Sequence, residues 1–272
     1  MNYVSIGKEN MADFESVLYP GYVPGTGRIT IGAYGDDGTV QGAVSVIFMT
    51  DQYTCDWLYV HPECRGRGVG NGLYDQVLEF ISATGLVYPL SASFEVEDED
   101  RELYGFFLSR DDVLVDYSHR RFYIQPEEIT ASDMLKKEVH TKYRMRLYAE
   151  LEAESRLAVL KEVQDQHCLV IGDAARWNAD SVPELDLVLF DGDTVVSFLF
   201  FRKREDRCLE LSYLYSSSPM GVLQIIVEAA KLVAEKYPGY GIVYDTVSDE
   251  AEAVSRKVFP GNDGICIYEA VW

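Results

Sequence analysis

The strongest constraint on the fold is a glycine-rich turn, residues 61–72, that joins an apolar segment to an amphipathic one. The apolar run 57–60 favours a buried strand, and the apolar residues after the turn recur at helical spacing. The first N–H groups of a helix have no partner within it, and the helix dipole places partial positive charge there. Glycines at positions 66, 68, 70 and 72 let the backbone approach an anion closely. The segment therefore predicts a pyrophosphate site at a helix N-terminus.

The order of residues in this turn narrows the class of ligand. Residues 60–70 read Val-x-Pro-x-x-Arg-Gly-x-Gly-x-Gly, which is neither the dinucleotide-binding Gly-x-Gly-x-x-Gly nor a P-loop that ends in Gly-Lys-Ser/Thr. The pattern resembles the acyl-CoA signature of the GNAT N-acetyltransferase superfamily and matches it from Val60 through Gly70. The alternative is a glycine-rich loop that binds no ligand.

Charge and composition exclude several other classes of protein. A formal net charge of −21 argues against nucleic acid and against an anionic membrane surface as partners. The longest apolar stretch, residues 195–201, is too short to cross a bilayer, and no secretory signal is visible, so we expect a cytoplasmic protein. The cysteines and histidines lack the spacing of metal ligands, so no metal site is expected.

The sequence also contains an internal repeat, because residues 38–60 and 192–214 each read as a strand, a polar turn and a second strand. In each copy we predict, in order, a helix, a strand, a short helix and a closing strand. The first copy places these at 71–83, 87–95, 99–108 and 112–124, and the second at 221–236, 241–247, 249–258 and 264–271.

The repeat predicts two copies of one α/β module in tandem. Together with the resemblance, it implies an α/β fold of two tandem GNAT-like domains, each a mixed, mostly antiparallel sheet flanked by helices. Residues 1–128 would form the acetyltransferase domain with the acyl-CoA site, and residues 129–272 a degenerate copy. The turn at 215–221 in the second copy has one glycine and no arginine, and its serines are typical helix N-caps. We therefore expect one CoA per chain. The second domain would complete the acceptor side or form a surface for a dimer or another partner.

The resemblance implies how acetyl-CoA, the acyl donor, would be held. In this family the sheet splays after the strand that precedes the turn, and the pantetheine arm binds that strand's backbone, which here belongs to Leu58, Tyr59 and Val60. The pyrophosphate would lie on the N–H groups of the turn, those of Arg65, Gly66, Arg67, Gly68, Val69, Gly70 and Asn71. The two arginines would offset the phosphate charge, or they are ordinary solvated loop residues.

Two side chains are candidates for the proton transfers that acyl transfer to an amine requires. The stretch around Tyr104 resembles the family's Leu-Tyr-x-x-x-Gly-Phe, although the Gly-Phe is displaced, so Tyr104 is the candidate donor to the CoA thiolate. The alternative is that Tyr104 is a core aromatic residue.

Asp56 is the candidate general base because it interrupts an apolar strand, where partial desolvation would favour proton acceptance. It lies on the same face as Thr54, where some members of the family carry a glutamate base. The repeat pairs Asp56 with Glu210, which favours a structural role instead. Glu95 and Glu97 compete for the role of base, and deprotonation through water requires none of them.

The acidic run 95–102 would either attract a cationic amine or be a solvated loop and helix start. Together these features predict an acetyl-CoA-dependent N-acetyltransferase that acts on a primary amine of a small molecule or peptide. The alternatives are a non-catalytic acyl-CoA-binding or sensing module and a scaffold that binds no CoA. The acceptor itself has no signature in the sequence.

Overall fold

The chain divides into two compact units in the computed structural model, which describes residues 1–25, 27–49, 51–96, 102–136, 138–139, 141–165, 181–204, 206–246 and 248–272. The first unit comprises Met1–Ser118 and Ile267–Trp272, and the second comprises His119–Cys266. This division differs from the boundary expected after residue 128, because it falls inside a strand and assigns the last residues of the chain to the first unit.

The first unit is built on a mixed sheet. Its elements are β1 (Asn2–Ser5), β2 (Arg28–Tyr34), β3 (Val40–Phe48), β4 (Tyr53–Val60), α1 (Val69–Ala83), β5 (Leu90–Val96), α2 (Glu102–Leu108) and the start of β6 (Leu114–Ile124). Strands β1 to β4 are antiparallel neighbours, and β5 joins β4 in parallel. Helix α1 buries the face formed by Val69, Leu73, Tyr74, Val77 and Ile81, which is the face that helical spacing indicates.

The second unit repeats this arrangement. Its elements are the end of β6, α3 (Pro126–Ala131), β7 (Arg144–Leu147), α4 (Ala153–Asp165), β8 (Leu187–Asp191), β9 (Thr194–Lys203), β10 (Cys208–Ser216), α5 (Pro219–Lys236), β11 (Gly241–Thr246), α6 (Asp249–Val258) and the start of β12 (Ile265–Val271). Strands β7 to β10 are antiparallel neighbours, and β11 joins β10 in parallel. Each copy thus has the predicted order of helix, strand, short helix and strand.

The closing strands have partners that the repeat does not indicate. Residues 120–124 of β6 pair with β11 of the second unit, from Arg120–Thr246 to Ile124–Ile242. The last residues of the chain belong to the first unit, where the Trp272 N–H donates to the Leu90 carbonyl oxygen at 3.0 Å. A local pattern of alternating residues predicts a strand but does not indicate which strand it pairs with. Each closing strand was therefore expected to pair within its own copy.

A carboxyl group lies in the core of the second unit. Asp186 is 2% exposed, and its Oδ1 accepts a hydrogen bond from the Phe201 N–H at 3.0 Å. Burial raises the pKa of Asp186 from 3.8 to about 7, because the low dielectric of the core penalises the carboxylate. The native state therefore binds this proton more tightly than the unfolded state does.

We expect this proton to make the free energy of unfolding depend on pH. The stabilisation is complete below pH 3.8 and is lost as the pH rises towards 7, by up to about 4 kcal/mol. Asp186→Asn keeps the acceptor oxygen and carries no charge, so the variant should lack this decline. Urea unfolding of both proteins between pH 4 and pH 8 measures the difference, and parallel pH profiles would contradict the assignment.

Candidate functional site

A cleft opens in the first unit where β4 and β5 part. Among the described residues, the two strands pair in parallel at Tyr53–Leu90 and at Thr54–Ser91, and no described pair joins them farther along. The backbone of β4 from Leu58 to Val60 is therefore open on the side of β5. This is the splay that the resemblance implies.

A cavity of about 550 Å³ lies beside the end of β4 and is lined by β4, the glycine-rich turn, the start of α1 and α2. That volume is typical of a small-molecule or cofactor site. Its described lining includes every predicted binding residue except Arg67, which is exposed. The lining residues are Leu58, Tyr59, Val60, Cys64, Arg65, Gly66, Gly68, Val69, Gly70, Asn71, Glu102, Leu103 and Phe106.

The turn reaches the cavity through two glycines in left-handed conformations. Gly66 has φ of 69° and Gly68 has φ of 82°, values that L side chains rarely adopt. Gly68 is the N-cap of α1 and has no side chain with which to cap it, so the first N–H groups of the helix remain available to a ligand. The Arg65 N–H donates instead to the Pro62 carbonyl oxygen at 3.2 Å. This bond removes Arg65 from the predicted set of backbone donors.

The other two glycines of the turn serve close packing. A Cβ on Gly70 would come within 3.2 Å of the Phe106 ring, and a Cβ on Gly72 would overlap the hydroxyl of Tyr3. Gly72 therefore lets α1 approach β1, and its expected role in admitting a phosphate is corrected to a packing role. A glycine pattern in sequence does not distinguish these two uses.

Arg65 brings a cation to the cavity and already has a carboxylate partner. Its guanidinium pairs with Glu102, and its Nε donates to the Val60 carbonyl oxygen at 3.1 Å. Both side chains of the pair are well exposed. An incoming anion would therefore compete with Glu102 for Arg65 at a small electrostatic cost.

Asp56 lies at a β-bulge, because Trp57 is opposite Ser45 while Cys55 is opposite Val46. Arg28 Nη1 bridges the Asp56 Oδ2 and the Ser45 Oγ, each at 2.6 Å. Proton acceptance by Asp56 would disrupt this ion pair, so the geometry favours the structural role. Arg28 has no signal in the sequence, because its pairing depends on how β2, β3 and β4 align.

The strand registers of the two copies also show which residue of the second copy is equivalent to Asp56. The bulge of β10 falls at Ser212, because Leu211 is opposite Phe201 while Tyr213 is opposite Phe200. Ser212 therefore takes the position of Asp56 in the second copy, in place of the expected Glu210. The hairpins of the two copies have different lengths, so a constant spacing in sequence does not hold through the second strand.

Tyr104 lies on α2 and is not among the residues that line the cavity. Its ring centroid is 4.9 Å from that of Tyr268 and 6.5 Å from that of Phe94. Its helical neighbours Leu103 and Phe106 line the cavity. The packing alternative therefore accounts for the Tyr104 ring, and its hydroxyl remains a candidate proton donor.

The other residues to be considered at the site lie on α2 and at the end of β5. Leu103 and Phe106 were not singled out in the sequence, although their spacing on one helical face was a usable signal. Glu95 is exposed on β5. Glu97 and most of the acidic run, residues 97–101, lie outside the described residues.

Residues 27–123 match the family model of the acetyltransferase (GNAT) domain. That range contains the splayed strands, the glycine-rich turn and α2. The first unit of this chain therefore matches the GNAT acetyltransferase domain over these residues. A search of curated protein sequences finds no significant match.

Solved structures with the same fold extend the likeness over both units. A tandem GNAT protein from the clavulanic acid biosynthesis pathway aligns with 96% of this chain and 86% of its own, with a TM-score of 0.63 and 12% identity. A GCN5-related N-acetyltransferase from Sphaerobacter thermophilus aligns over 97% and 84%, with a TM-score of 0.68 and 14% identity. The predicted α/β fold of two tandem GNAT-like domains is confirmed.

A third structure places the fold inside a larger enzyme. It is a fungal multi-domain GH3 beta-N-acetylglucosaminidase with a GCN5-related glucosamine N-acetyltransferase region, and it aligns with 100% of this chain and 38% of its own. The TM-score is 0.69 and the identity 14%. At such identities these structures share the fold with this chain. No helix among the described residues is long and apolar enough to cross a membrane.

Proposed function

We propose that the first unit binds acetyl-CoA and transfers its acyl group to a primary amine of a small molecule or a peptide. The observation that carries this proposal is the cavity of about 550 Å³ beside the part of β4 that is not paired with β5, at the uncapped N-terminus of α1. A family match over the same residues supports it.

The residues of the cavity suit the parts of a CoA molecule. The N–H groups from Gly66 to Asn71 would receive the pyrophosphate at the N-terminus of α1, where the helix dipole favours an anion. The open edge of β4 at Leu58 and Tyr59 offers backbone groups to the amides of the pantetheine arm. Phe106 gives the cavity an apolar wall.

Acyl transfer to an amine requires two proton transfers, and we assign one to water and one to a side chain of the chain. The amine must lose a proton before attack, and because Asp56 is held by Arg28, water is the proposed route for that proton. The leaving thiolate must be stabilised or protonated, and Tyr104 on α2 is the proposed donor. Glu102, which is exposed at the cavity, would favour the approach of a cationic amine.

The alternative is a non-catalytic acyl-CoA-binding module. The observation that favours it is that Asp56 is engaged in an ion pair and that the Tyr104 ring packs against Tyr268. In this alternative the same cavity binds acyl-CoA and no acyl group is transferred.

Two measurements on the full chain separate these functions. Calorimetry with CoA should give one site per chain, because α5 of the second unit is capped by Ser218 and begins with Pro219, which has no N–H. Thiol release from acetyl-CoA, followed with a panel of small and peptide amines, should then rise with at least one acceptor. Binding without thiol release for the whole panel favours the binding module, and no CoA binding refutes both functions.

A further inference from the structure

The second unit contains a cavity of its own, at the position that corresponds to the cleft of the first. Strands β10 and β11 pair in parallel at Cys208–Gly241, Leu209–Ile242 and Glu210–Val243, and a cavity of about 750 Å³ lies beyond those pairs. The family match ends at residue 123, so it does not cover this cavity. Its chemistry differs from that of the first.

Apolar side chains from the sheet and from both flanking helices form most of this cavity. They are Leu199, Phe201, Leu211, Leu214, Val222, Ile226, Ala229, Ala230, Ile242, Tyr244, Val254 and Phe259. Burying an apolar ligand against such a surface is favourable because it removes apolar area from water.

One polar group among these apolar side chains has no hydrogen-bond partner among the residues that the structure describes. The Oγ of Ser212 is buried, lines the cavity and makes no hydrogen bond to any described residue. A buried hydroxyl without a partner is unfavourable, so such groups in proteins are nearly always satisfied by protein, water or ligand. Ser212 therefore offers a hydrogen bond to a polar group of a bound molecule.

The N-termini of α5 and α6 beside the cavity are capped by side chains and are therefore unfavourable anion sites. The Ser218 Oγ accepts from the Gly221 N–H at 3.3 Å, and the Ser248 Oγ accepts from the Ala251 N–H at 3.2 Å. A Cβ on Gly221 would overlap the hydroxyls of Ser197 and Ser216, so this glycine is required for packing. The capped α5 and α6 thus contrast with α1, whose N-cap is a glycine.

Carboxylates supply the charge at this cavity. Glu210 pairs with Arg202 at 2.6 Å, and Asp245 pairs with Arg121 at 2.7 Å. Glu250, in the first turn of α6, lines the cavity and has no ion-pair partner among the described residues. The uncompensated charge of the lining is therefore negative.

We propose that this cavity binds a small molecule with an apolar body and a single amine. The apolar body would lie against α5 and the sheet, and the amine would approach Glu250 and the hydroxyl of Ser212. Nucleotides and fatty acids are disfavoured by the caps of α5 and α6 and by the carboxylate. This site goes beyond the proposed acyl transfer, and none of the readouts below uses that activity.

Calorimetry of the full chain with three probes of equal chain length tests the chemistry of the site. We expect n-octylamine to bind with one site in the second unit, n-octanol to bind about fivefold more weakly, and n-octanoate to give no detectable heat. Octanoate that binds as tightly as octylamine overturns the proposal, and so does a failure of all three to bind.

Matched variants locate the site. Ile226→Trp fills the cavity and should abolish the octylamine site assigned to it. Leu223→Trp, on the same helix and equally half-buried, is outside the described lining and should bind octylamine as the unaltered protein does. Octylamine binding that survives in a folded Ile226→Trp protein refutes the assignment.

If Ile226→Trp fails to fold, a pair of milder variants tests whether the second cavity binds the amine. Glu250→Gln should weaken octylamine about fivefold and leave octanol unchanged, whereas its neighbour Asp249→Asn, outside the described lining, should alter neither. Equal effects of the two substitutions on octylamine overturn the role of Glu250 and with it the amine. Ser212→Ala should weaken both probes, and no change in either contradicts the position assigned to the polar group.

Discussion

Gly68→Asp is expected to lower the affinity for CoA by about a hundredfold or more while the circular dichroism spectrum is retained. The new carboxylate would cap α1 through its free N–H groups, and these are the groups that the pyrophosphate needs. Its charge would also repel phosphate. A Cβ on Gly68 meets no described atom within 4 Å, so the fold should tolerate the substitution despite φ of 82°. Calorimetry with CoA measures the effect.

Two control variants separate the effect of helix capping and the effect of added charge from a general effect of the substitution. Gly85→Asp places the same residue at φ of 71° beyond the other end of α1, and it should leave the affinity for CoA unchanged. Gly68→Asn caps the helix without adding charge, so it should lie between Gly68→Asp and the unaltered protein. Unchanged affinity in Gly68→Asp would remove the basis for an anion site at this turn.

Tyr104→Phe is expected to lower kcat by ~10²-fold and to leave the affinity for CoA unchanged. The substitution removes one hydroxyl and keeps the ring that packs against Tyr268 and Phe94. The loss should therefore report proton donation and not packing. Steady-state kinetics measure it, with an acceptor whose turnover is limited by chemistry and not by release of CoA.

Tyr117→Phe is the matched control, because its ring also contacts Tyr268, with centroids 5.9 Å apart. It should retain full kcat. If Tyr104→Phe retains full kcat as well, Tyr104 is a packing residue. The thiolate would then depend on water and backbone groups.

The parts of the site that depend on neighbouring residues in sequence could be predicted from the sequence. A strand, a turn with glycines at the required positions and an amphipathic helix are local signals, and they located the cavity at Leu58 to Asn71. The order of elements in both copies was predictable for the same reason. Hydrophobic periodicity fixes the type of each element without reference to the rest of the chain.

The parts that depend on alignment between distant segments could not be predicted. Arg28 meets Asp56 because β2, β3 and β4 align in one register, and a bulge at Asp56 sets that register. Gly72 is a glycine because Tyr3 lies against α1. Neither contact leaves a trace in local composition, since each joins segments that are far apart in the sequence.

The return of the last residues to the first unit has a consequence for synthesis on the ribosome. The Leu90 carbonyl oxygen at the edge of β5 accepts its hydrogen bond from Trp272, which is translated after the whole second unit. The unit that contains the glycine-rich turn therefore completes its sheet last, although most of it emerges first. Contacts so distant in sequence are slow to form, because the intervening chain must be ordered or spanned before they are made. Until then the nascent first unit exposes an unpaired strand edge, the kind of surface that chaperones protect.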